Sequence, residues 1–400
     1  MFREFFQEKA AKYQSIKQVY YFIHKYGPIT KAELLELTQL KQTTMVRHLE
    51  ELLNRNYIKI KSYEKSTGGR PPALYEINPF ASYIIGIDLS RTRTEILLLD
   101  LNFIKRDNYS FVMSSEHTPE VTILLLKRKI RELLDKNGIK IEQLLGIGIG
   151  AVGPIDRENG IILHPDLFPA PGWYYVPIVK ELETTFGTKV MIENGANTAA
   201  LGEYSATSVQ YSNYLYCISG RGLRCGVLTN GQFMKNNTGD ASSFGEIIID
   251  IDVKNPKENK TLSTYTSLDY MLKETKRRIS NGESSSLLLY LNNRDVESAT
   301  INDFLVALKN GDKLIQDIVH KSAYYYGIGL ANIINIIHPE KVILKSLLID
   351  VYPSYFDNII EIAKQYIYRY DQAKVSFGKG QLENAVSIGA SVLVFNSFFK

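Results

Sequence analysis

The residues best placed to do chemistry lie between Gly146 and Glu203. There the chain reads G-I-G-I-G-A-V-G-P-I-D-R-E-N-G-I-I-L-H-P, then P-G-W-Y-Y-V-P-I, then V-M-I-E-N-G-A-N-T-A-A-L-G-E. Gly148, Gly150 and Gly153 satisfy G-x-G-x-x-G, the spacing that brings a dinucleotide pyrophosphate onto the N–H groups of a helix opening at the glycines. That reading needs a helix there. Pro154 and the D-R-E-N-G that follows predict a turn and a strand instead, and no acidic residue stands about 20 positions on to hold a ribose. A nicotinamide or flavin cofactor is therefore not expected. Glu193 and Asn194 are more informative, because they end an apolar strand beside the start of a small-residue helix, where open α/β sheets place ligands.

Metal chemistry is not expected either. His24, His48, His117, His164, His320 and His338 are scattered, with no pair at ligand spacing. Cys217 and Cys225 flank a glycine-rich turn without C-x-x-C spacing, and are expected to be reduced and strand-borne.

The elements that must carry these residues follow from periodicity and turn chemistry. Apolar strands are predicted over residues 144–149, 161–163 and 189–192, with a polar turn at Asp156 to Gly160 and a helix starting near Asn197. A helix over 121–137 covers the first sheet, and a strand over 214–219 leads into G-R-G-L-R-C-G. Residues 301–339 form two helices split by N-G-D, the second with an apolar face through Ile318, Tyr325, Ile328 and Ile336. A last helix over 385–395 packs back on the first lobe.

The first fifth of the chain has a different character. Residues 1–80 hold 13 Lys/Arg against 8 Asp/Glu, while the rest holds 34 against 35. Such an uneven balance is the footprint of a nucleic-acid-binding module on a neutral body. A helix over 16–26 stops at Gly27-Pro28, and Thr30 with Glu33 forms a capping box for a second. A third, over 42–55, buries Met45, Leu49, Leu52 and Leu53, leaving Gln42, Thr43, Val46 and Arg47 on the opposite face at its N-terminal end. In a helix-turn-helix that part enters the major groove. An alternating strand over 57–63, the turn T-G-G-R-P-P and a returning strand complete a winged helix, and Asn78 to Phe80 reads as a linker.

At 400 residues, 44% hydrophobic and 22% charged, the chain is expected to form two or three globular domains. No apolar run reaches the roughly 18 residues that span a bilayer. The N-terminus carries acids and lacks a signal-peptide core, so a cytoplasmic location without membrane association is expected.

Together these stretches resemble the ROK family, which groups sugar-responsive repressors and sugar kinases. The family's runs are close to G-I-G-x-P-G-P-V-D, P-G-W and E-N-D-A-N-A-A-A-L-G-E, and the resemblance covers essentially the whole chain. It implies an α/β fold, an N-terminal winged helix-turn-helix followed by a two-lobed actin-like ATPase (ribonuclease H-like) domain. The winged helix occupies 1–78, the first lobe 80–200 completed by 380–400, and the second lobe 201–379. In the wing, Gly69 keeps the backbone thin and Arg70 reaches the minor groove.

The resemblance also marks departures. The first phosphate hairpin of the kinases, D-x-G-G-T, keeps Asp88 and Thr92 but has Ser90 and Arg91 for its glycines. The second, G-T-G-x-G-A-G, keeps Gly220, Gly222 and Gly226, while Arg221 replaces the Thr and Arg224 intrudes; an Arg filling the vacated site is expected over one binding an anion. Lys345 and Ser346 replace glycines on the adenosine side. Gly195 stands where the family's Asp accepts the sugar proton. Ile249, Thr261 and Ser263 replace a zinc-ligand His, the last zinc cysteine and a sugar-binding Glu.

The implied protein is a repressor of carbohydrate-utilisation genes that binds a palindromic double-stranded DNA operator as a homodimer or homotetramer. It has no catalytic residue, cofactor or metal. A sugar or sugar derivative is its effector, held by Asn194 and Glu246 with Trp173 alongside. With two of five polar anchors kept, a pentose, a modified sugar or a sugar phosphate is expected over an unmodified hexose. Two other readings stay open on the sequence: DNA binding without a ligand, and a ROK sugar kinase with an added DNA-binding module.

Overall fold

The N-terminal elements follow their patterning. In chain order they are helices α1 (Phe2–Gln7) and α2 (Ala11–Tyr26), strand β1 (Ile29–Thr30), helices α3 (Lys31–Thr38) and α4 (Gln42–Asn54), and strands β2 (Ile58–Tyr63) and β3 (Ala73–Ile77). The strands form an antiparallel sheet in the order β1-β3-β2, the winged-helix arrangement. The computed structural model describes residues 2–7, 11–64, 71–207, 209–220, 222–234, 239–241, 243–251, 254–255, 258–291 and 293–399. The α3 capping box forms: the Thr30 hydroxyl accepts from Glu33 N–H at 3.2 Å and Thr30 N–H donates to the Glu33 carboxylate at 2.8 Å. Helix α4 buries Met45, His48, Leu49 and Leu52. The stripe is thus completed by His48, not by Leu53, which is half-buried.

Asn78 to Phe80 is not a free linker. Asn78 N–H donates to Tyr57 O at 2.8 Å, and Pro79 O accepts from Leu101 N–H at 3.0 Å. One apolar core continues across the junction, joining Phe2, Phe6, Tyr20 and Ile23 to Ile84, Leu101, Leu145, Val394, Phe395 and Phe398. Phe399 stacks on Tyr20 at 5.5 Å, and His24 lies 4.2 Å from the Phe395 ring. The chain divides into two compact units, Met1–Thr198 with Asn384–Lys400, and Ala199–Glu383, so the winged helix belongs to the first.

The first unit continues through β4 (Tyr83–Leu89), β5 (Arg93–Asp100), β6 (Lys105–Val112), α5 (Pro119–Lys136), β7 (Leu144–Ala151), β8 (Ile155–Asp156), β9 (Ile161–Ile162), α6 (Ile178–Phe186), β10 (Lys189–Asn194) and α7 (Gly195–Ser205). Helix α7 starts at Gly195, two residues before the expected Asn197. The main sheet has the order β10-β7-β4-β5-β6, with β4, β7 and β10 parallel and β4-β5-β6 antiparallel. One face is covered by α5 and α6 through residues such as Leu126, Ile130 and Leu182. The C-terminal helix Ala385–Asn396 sits on the other. A Cβ added at Gly86 would lie 2.1 Å from Ser387 O, one at Gly148 2.0 Å from Ala390 O, and one at Gly150 2.4 Å from Val386. These glycines are the seat of a helix, not a cradle for pyrophosphate.

The second unit repeats the plan. Strands β11 (Asn213–Ser219), β12 (Leu223–Thr229) and β13 (Gln232–Phe233) are followed by a ribbon of β14 (Ile248–Asp250) and β15 (Lys260–Thr261). Helices α8 (Leu262–Thr266), α9 (Leu268–Ser280), α10 (Leu287–Tyr290), α11 (Ile301–Lys309) and α12 (Lys313–Ile337) precede β16 (Lys341–Ser346). Helices α13 (Leu347–Val351), α14 (Ser354–Tyr366) and α15 (Tyr370–Ala373), strand β17 (Ser376–Lys379) and α16, the C-terminal helix, complete the chain. This unit's sheet has the order β13-β12-β11-β16-β17, and read from the other edge, β17-β16-β11-β12-β13, it repeats the first sheet's two parallel and two antiparallel pairings position for position. Two such sheets make the duplicated ribonuclease-H-like plan of an actin-like fold. In α12 the buried stripe runs through Ile315, Ser322, Tyr326 and Leu330. Ile336, expected on that face, is 78% exposed.

Two predictions follow from the packing and charge of the first unit. Gly148→Ala should cost about 3 kcal/mol or more in denaturant unfolding, because the new methyl meets backbone that cannot yield. Gly195→Ala is the control, since its Cβ would meet nothing nearer than 3.6 Å and should change stability by under about 1 kcal/mol. The second concerns pH. Burial, and then Glu95 across the strand pair, push the Asp88 carboxyl from 3.8 up to about 7, while Arg93 pulls it down. Burial pushes His24 from 6.5 down to about 4, against the Leu101 carbonyl and Asp100. The raised carboxyl makes stability fall as pH rises from about 4 through 7, and the lowered imidazole makes it rise over nearly the same window, so the two oppose each other. Removing Asp88 takes away the opposing effect and leaves that of His24 in place. Relative to the parent, Asp88→Asn should gain stability between pH 4 and 7 at no more than about 1.4 kcal/mol per pH unit. Parallel stability curves for the two proteins would contradict the assignment.

Candidate functional site

The candidate DNA-contacting surface is the N-terminal end of α4. Gln42, Thr43 and Arg47 are exposed and Val46 is half-buried. Lys41, the N-cap, makes no side-chain hydrogen bond to the helix, so the first N–H groups of α4 point at solvent beside a cation, a setting that favours phosphate. His48 fixes the helix from behind, its Nε2 lying 2.7 Å from the Ser15 hydroxyl on α2. Burial and the Arg47 charge hold this imidazole below its ordinary range, with Glu51 opposing them. On β2, Lys59 and Lys61 each lie 3.2 Å from Glu76. Gly69 and Arg70 lie outside the described residues.

In the first sheet, Leu89 and Asn194 both pair with Ala151, which aligns the ends of β4, β7 and β10. Asn194 is buried, and its Oδ1 accepts from Ala196 N–H at 2.9 Å. Glu193, also buried, organises this corner. Its carboxylate accepts from Asn194 N–H at 2.7 Å, Asn197 Nδ2 at 2.9 Å and Arg157 Nε at 2.7 Å. Sequence reading gave Arg157 and Asn197 no such role, although the four-residue spacing from Glu193 to Asn197 is a helical one. Asp156 holds its own turn, accepting from Glu158 N–H and Asn159 N–H at 3.1 and 3.0 Å. Hydrogen bonds from Asn159 keep its carboxyl below the usual range.

Trp173 is a core residue. Its ring stacks on Phe168 at 4.4 Å, its Nε1–H donates to His117 O at 3.1 Å, and it is buried with the α5 and α6 residues. Trp173, expected beside the ligand, thus anchors the loop that carries it. At the first hairpin, Arg91 Nε donates to Asp166 O at 2.7 Å. The position that is glycine in the kinases here ties the hairpin to the loop after β9.

In the second unit, Glu246 ends a short turn with its side chain 55% exposed, and Arg224 Nη1 lies 3.6 Å from it. Arg224 Nε lies 3.8 Å from Asp240. Arg224 thus joins two carboxylates; Arg221 lies outside the described residues. Cβ atoms at Gly220 and Gly222 would meet nothing within 4 Å. Lys345 Nζ reaches Asp350 at 3.1 Å, and the Ser346 hydroxyl caps α13 by accepting from Ile349 N–H at 3.2 Å. Ile249 packs against the core, Ile248 pairs with Thr261 in the β14–β15 ribbon, and the Ser263 hydroxyl is buried without a partner. Tyr265 OH donates to Asp250 beside them. Cys217 and Cys225 face each other across the β11–β12 pair as buried free thiols. Among the described residues, no three His, Cys, Asp or Glu side chains converge as a metal site, and no helix is long and apolar enough to cross a membrane.

Comparison with known proteins agrees with this architecture. A xylose repressor of Caldicellulosiruptor bescii is 28% identical over 380 residues, covering 92% of this chain and 92% of its own. A solved ROK family transcriptional regulator, described as a homologue of the E. coli MLC protein, superposes with a TM-score of 0.80 at 19% identity over 97% of both chains. A ROK family glucokinase from Streptomyces griseus, solved with glucose and AMPPNP, superposes with a TM-score of 0.66 at 21% identity over 79% of this chain and 100% of its own. The ROK family profile matches residues 84–397, and the chain belongs to the ROK family.

Proposed function

We propose that this chain is a DNA-binding repressor of carbohydrate-utilisation genes, acting in the cytoplasm as a homodimer or homotetramer on a palindromic operator. The observation that carries the reading is a winged helix with Gln42, Thr43 and Arg47 exposed at the start of α4, built into the first ROK lobe by a common core. The repressor name of the 28% identical relative supports the same role. In this reading Arg47 and Gln42 contact base edges, Thr43 and Val46 approach the groove floor, and Arg70 with Gly69 forms a minor-groove wing.

The effector is a sugar, with Asn194 at the end of β10 as its polar anchor in the first unit and Trp173 fixing the neighbouring loop from the core. A pentose fits best, because the kept polar anchors are few and the relative is named for xylose. Sugar kinase activity is not part of the proposal. Gly195 supplies no proton acceptor, and general-base loss alone costs about 10²–10⁴-fold. A DNA-binding protein without effector is the second reading, favoured by one observation: Asn194 Oδ1 and the Trp173 N–H already serve the fold.

Two measurements test the proposal. Arg47→Ala should lose about 1–3 kcal/mol of discrimination between operator and scrambled DNA in a titration at fixed salt, with the fold unchanged. Unchanged discrimination would misplace α4. Calorimetry with ATP–Mg²⁺ and xylose should show neither micromolar nucleotide binding nor sugar-dependent hydrolysis; turnover would restore the kinase reading.

A further inference from the structure

The loop between β9 and α6, residues 163–175, is held at three places, yet it holds two large aromatic side chains in water. Its neck is closed by Ile162 N–H to Val176 O at 3.0 Å, Val176 N–H to Ile162 O at 2.8 Å and Tyr175 N–H to Leu163 O at 2.7 Å. Its base is locked by Trp173, whose ring lies in the core and whose N–H is taken by His117 O. Its far side is tied by Arg91 to Asp166 O. Against this fixation Tyr174 is 66% exposed and Tyr175 56% exposed. The two rings meet at 87° with centroids 4.6 Å apart, and His164 stands edge-on to Tyr174 at 6.4 Å. Tyr175 takes φ 52°, a left-handed conformation that costs a non-glycine residue on the order of 1 kcal/mol and is kept only where surroundings impose it.

A rigid corner of two perpendicular aromatic faces has a definite ligand chemistry. Each ring presents a negative π-face, with a phenolic hydroxyl at its rim that donates and accepts hydrogen bonds. A saccharide ring is the complement: its axial C–H groups form a weakly positive apolar face, bordered by hydroxyls. The loop's position agrees. Arg91 lies two residues beyond Leu89, and Leu89, Ala151 and Asn194 stand side by side at the C-terminal ends of parallel strands, where open α/β sheets bind ligands. The tether from Arg91 to Asp166 thus fastens the tyrosine loop to the edge of the sheet that carries Asn194.

We infer that Tyr174 and Tyr175 form a stacking platform for the sugar effector, with the C–H face of a pyranose lying on one of the rings. The inference rests on the effector reading above and adds the apolar half of the recognition. It also accounts for the short supply of polar anchors, because stacking holds a sugar by the face that hydrogen bonds leave unused. Trp173 is then the positioning residue for the platform, acting through the loop rather than on the sugar.

The experiment is a titration of the full-length protein with D-xylose, D-glucose and N-acetylglucosamine, followed by thermal shift and by saturation-transfer NMR. Wild type should bind one of the three, with saturation passing to sugar C–H protons. Tyr174→Ala and Tyr175→Ala should leave the unliganded melting temperature nearly unchanged, and at least one should lower affinity about tenfold while weakening that transfer. The corresponding Phe variant should keep most of the affinity, since it retains the face. Asn194→Ala tests the polar anchor separately. If wild type binds and both Ala variants bind as well as it does, the platform is wrong and the effector reading stands. If wild type binds none of the three sugars, both fall together.

Discussion

The close seating of the C-terminal helix on a glycine-lined sheet is the constraint on which the first unit depends. At Gly86 and Gly148 the helix backbone comes so near that an added Cβ would stand about 2 Å from a carbonyl oxygen, well inside the contact distance of roughly 3.5–4.0 Å between non-bonded carbons. Only a residue without Cβ allows this approach, and the helix answers with Ser387, Ala390 and Ser391 on its inner side. The same helix carries Phe395, followed by Phe398 and Phe399, to the aromatic side chains of α1 and α2. A single element therefore closes the sheet and holds the DNA-binding module against it.

Local chemistry in the sequence was a good guide wherever a structure is stabilised by near neighbours. Thr30 with Glu33, the exposed N-terminal end of α4, and the refusal of G-x-G-x-x-G on account of Pro154 all depend on residues within a few positions. The junction at Asn78 was misread because its partners are remote. Phe6 meets Phe399, nearly 400 positions away, and no periodicity carries that information. Trp173 shows a related limit: an aromatic residue beside glycine and proline looks like a ligand contact, and its anchoring role comes from Phe168 and from His117 O, which no local pattern predicts. Ile336 shows the limit of a helical stripe, since α12 is buried on one side and apolar beyond it.

The loops that depart from the kinase pattern carry new side chains in each unit. Arg91, Arg224 and Lys345 all introduce positive charge, which alone would favour a nucleotide. Each has an internal partner, but exposed ion pairs contribute only about 0–1 kcal/mol, too little to exclude a multiply charged ligand. Backbone access is the larger effect. A phosphate cradle needs N–H groups approached without side chains in the way; in the first unit Ser90 and Arg91 place side chains on the β4–β5 hairpin, and in the second the Ser346 hydroxyl caps α13. Gly195 is different: space exists for a Cβ there, so packing does not explain the lost carboxylate.

The union of winged helix and first lobe sets terms for any signal between effector and DNA. Swinging α4 on a hinge at Asn78 would open the core that contains Phe6, Tyr20, Leu145 and Phe395, and removing even one buried aromatic side chain typically costs about 3–5 kcal/mol. Coupling between two binding sites is typically worth about 1–3 kcal/mol. A coupling of that size is too small to peel the winged helix from its lobe, so the polar end of α4 stays fixed to the sheet whose strands end at Leu89, Ala151 and Asn194.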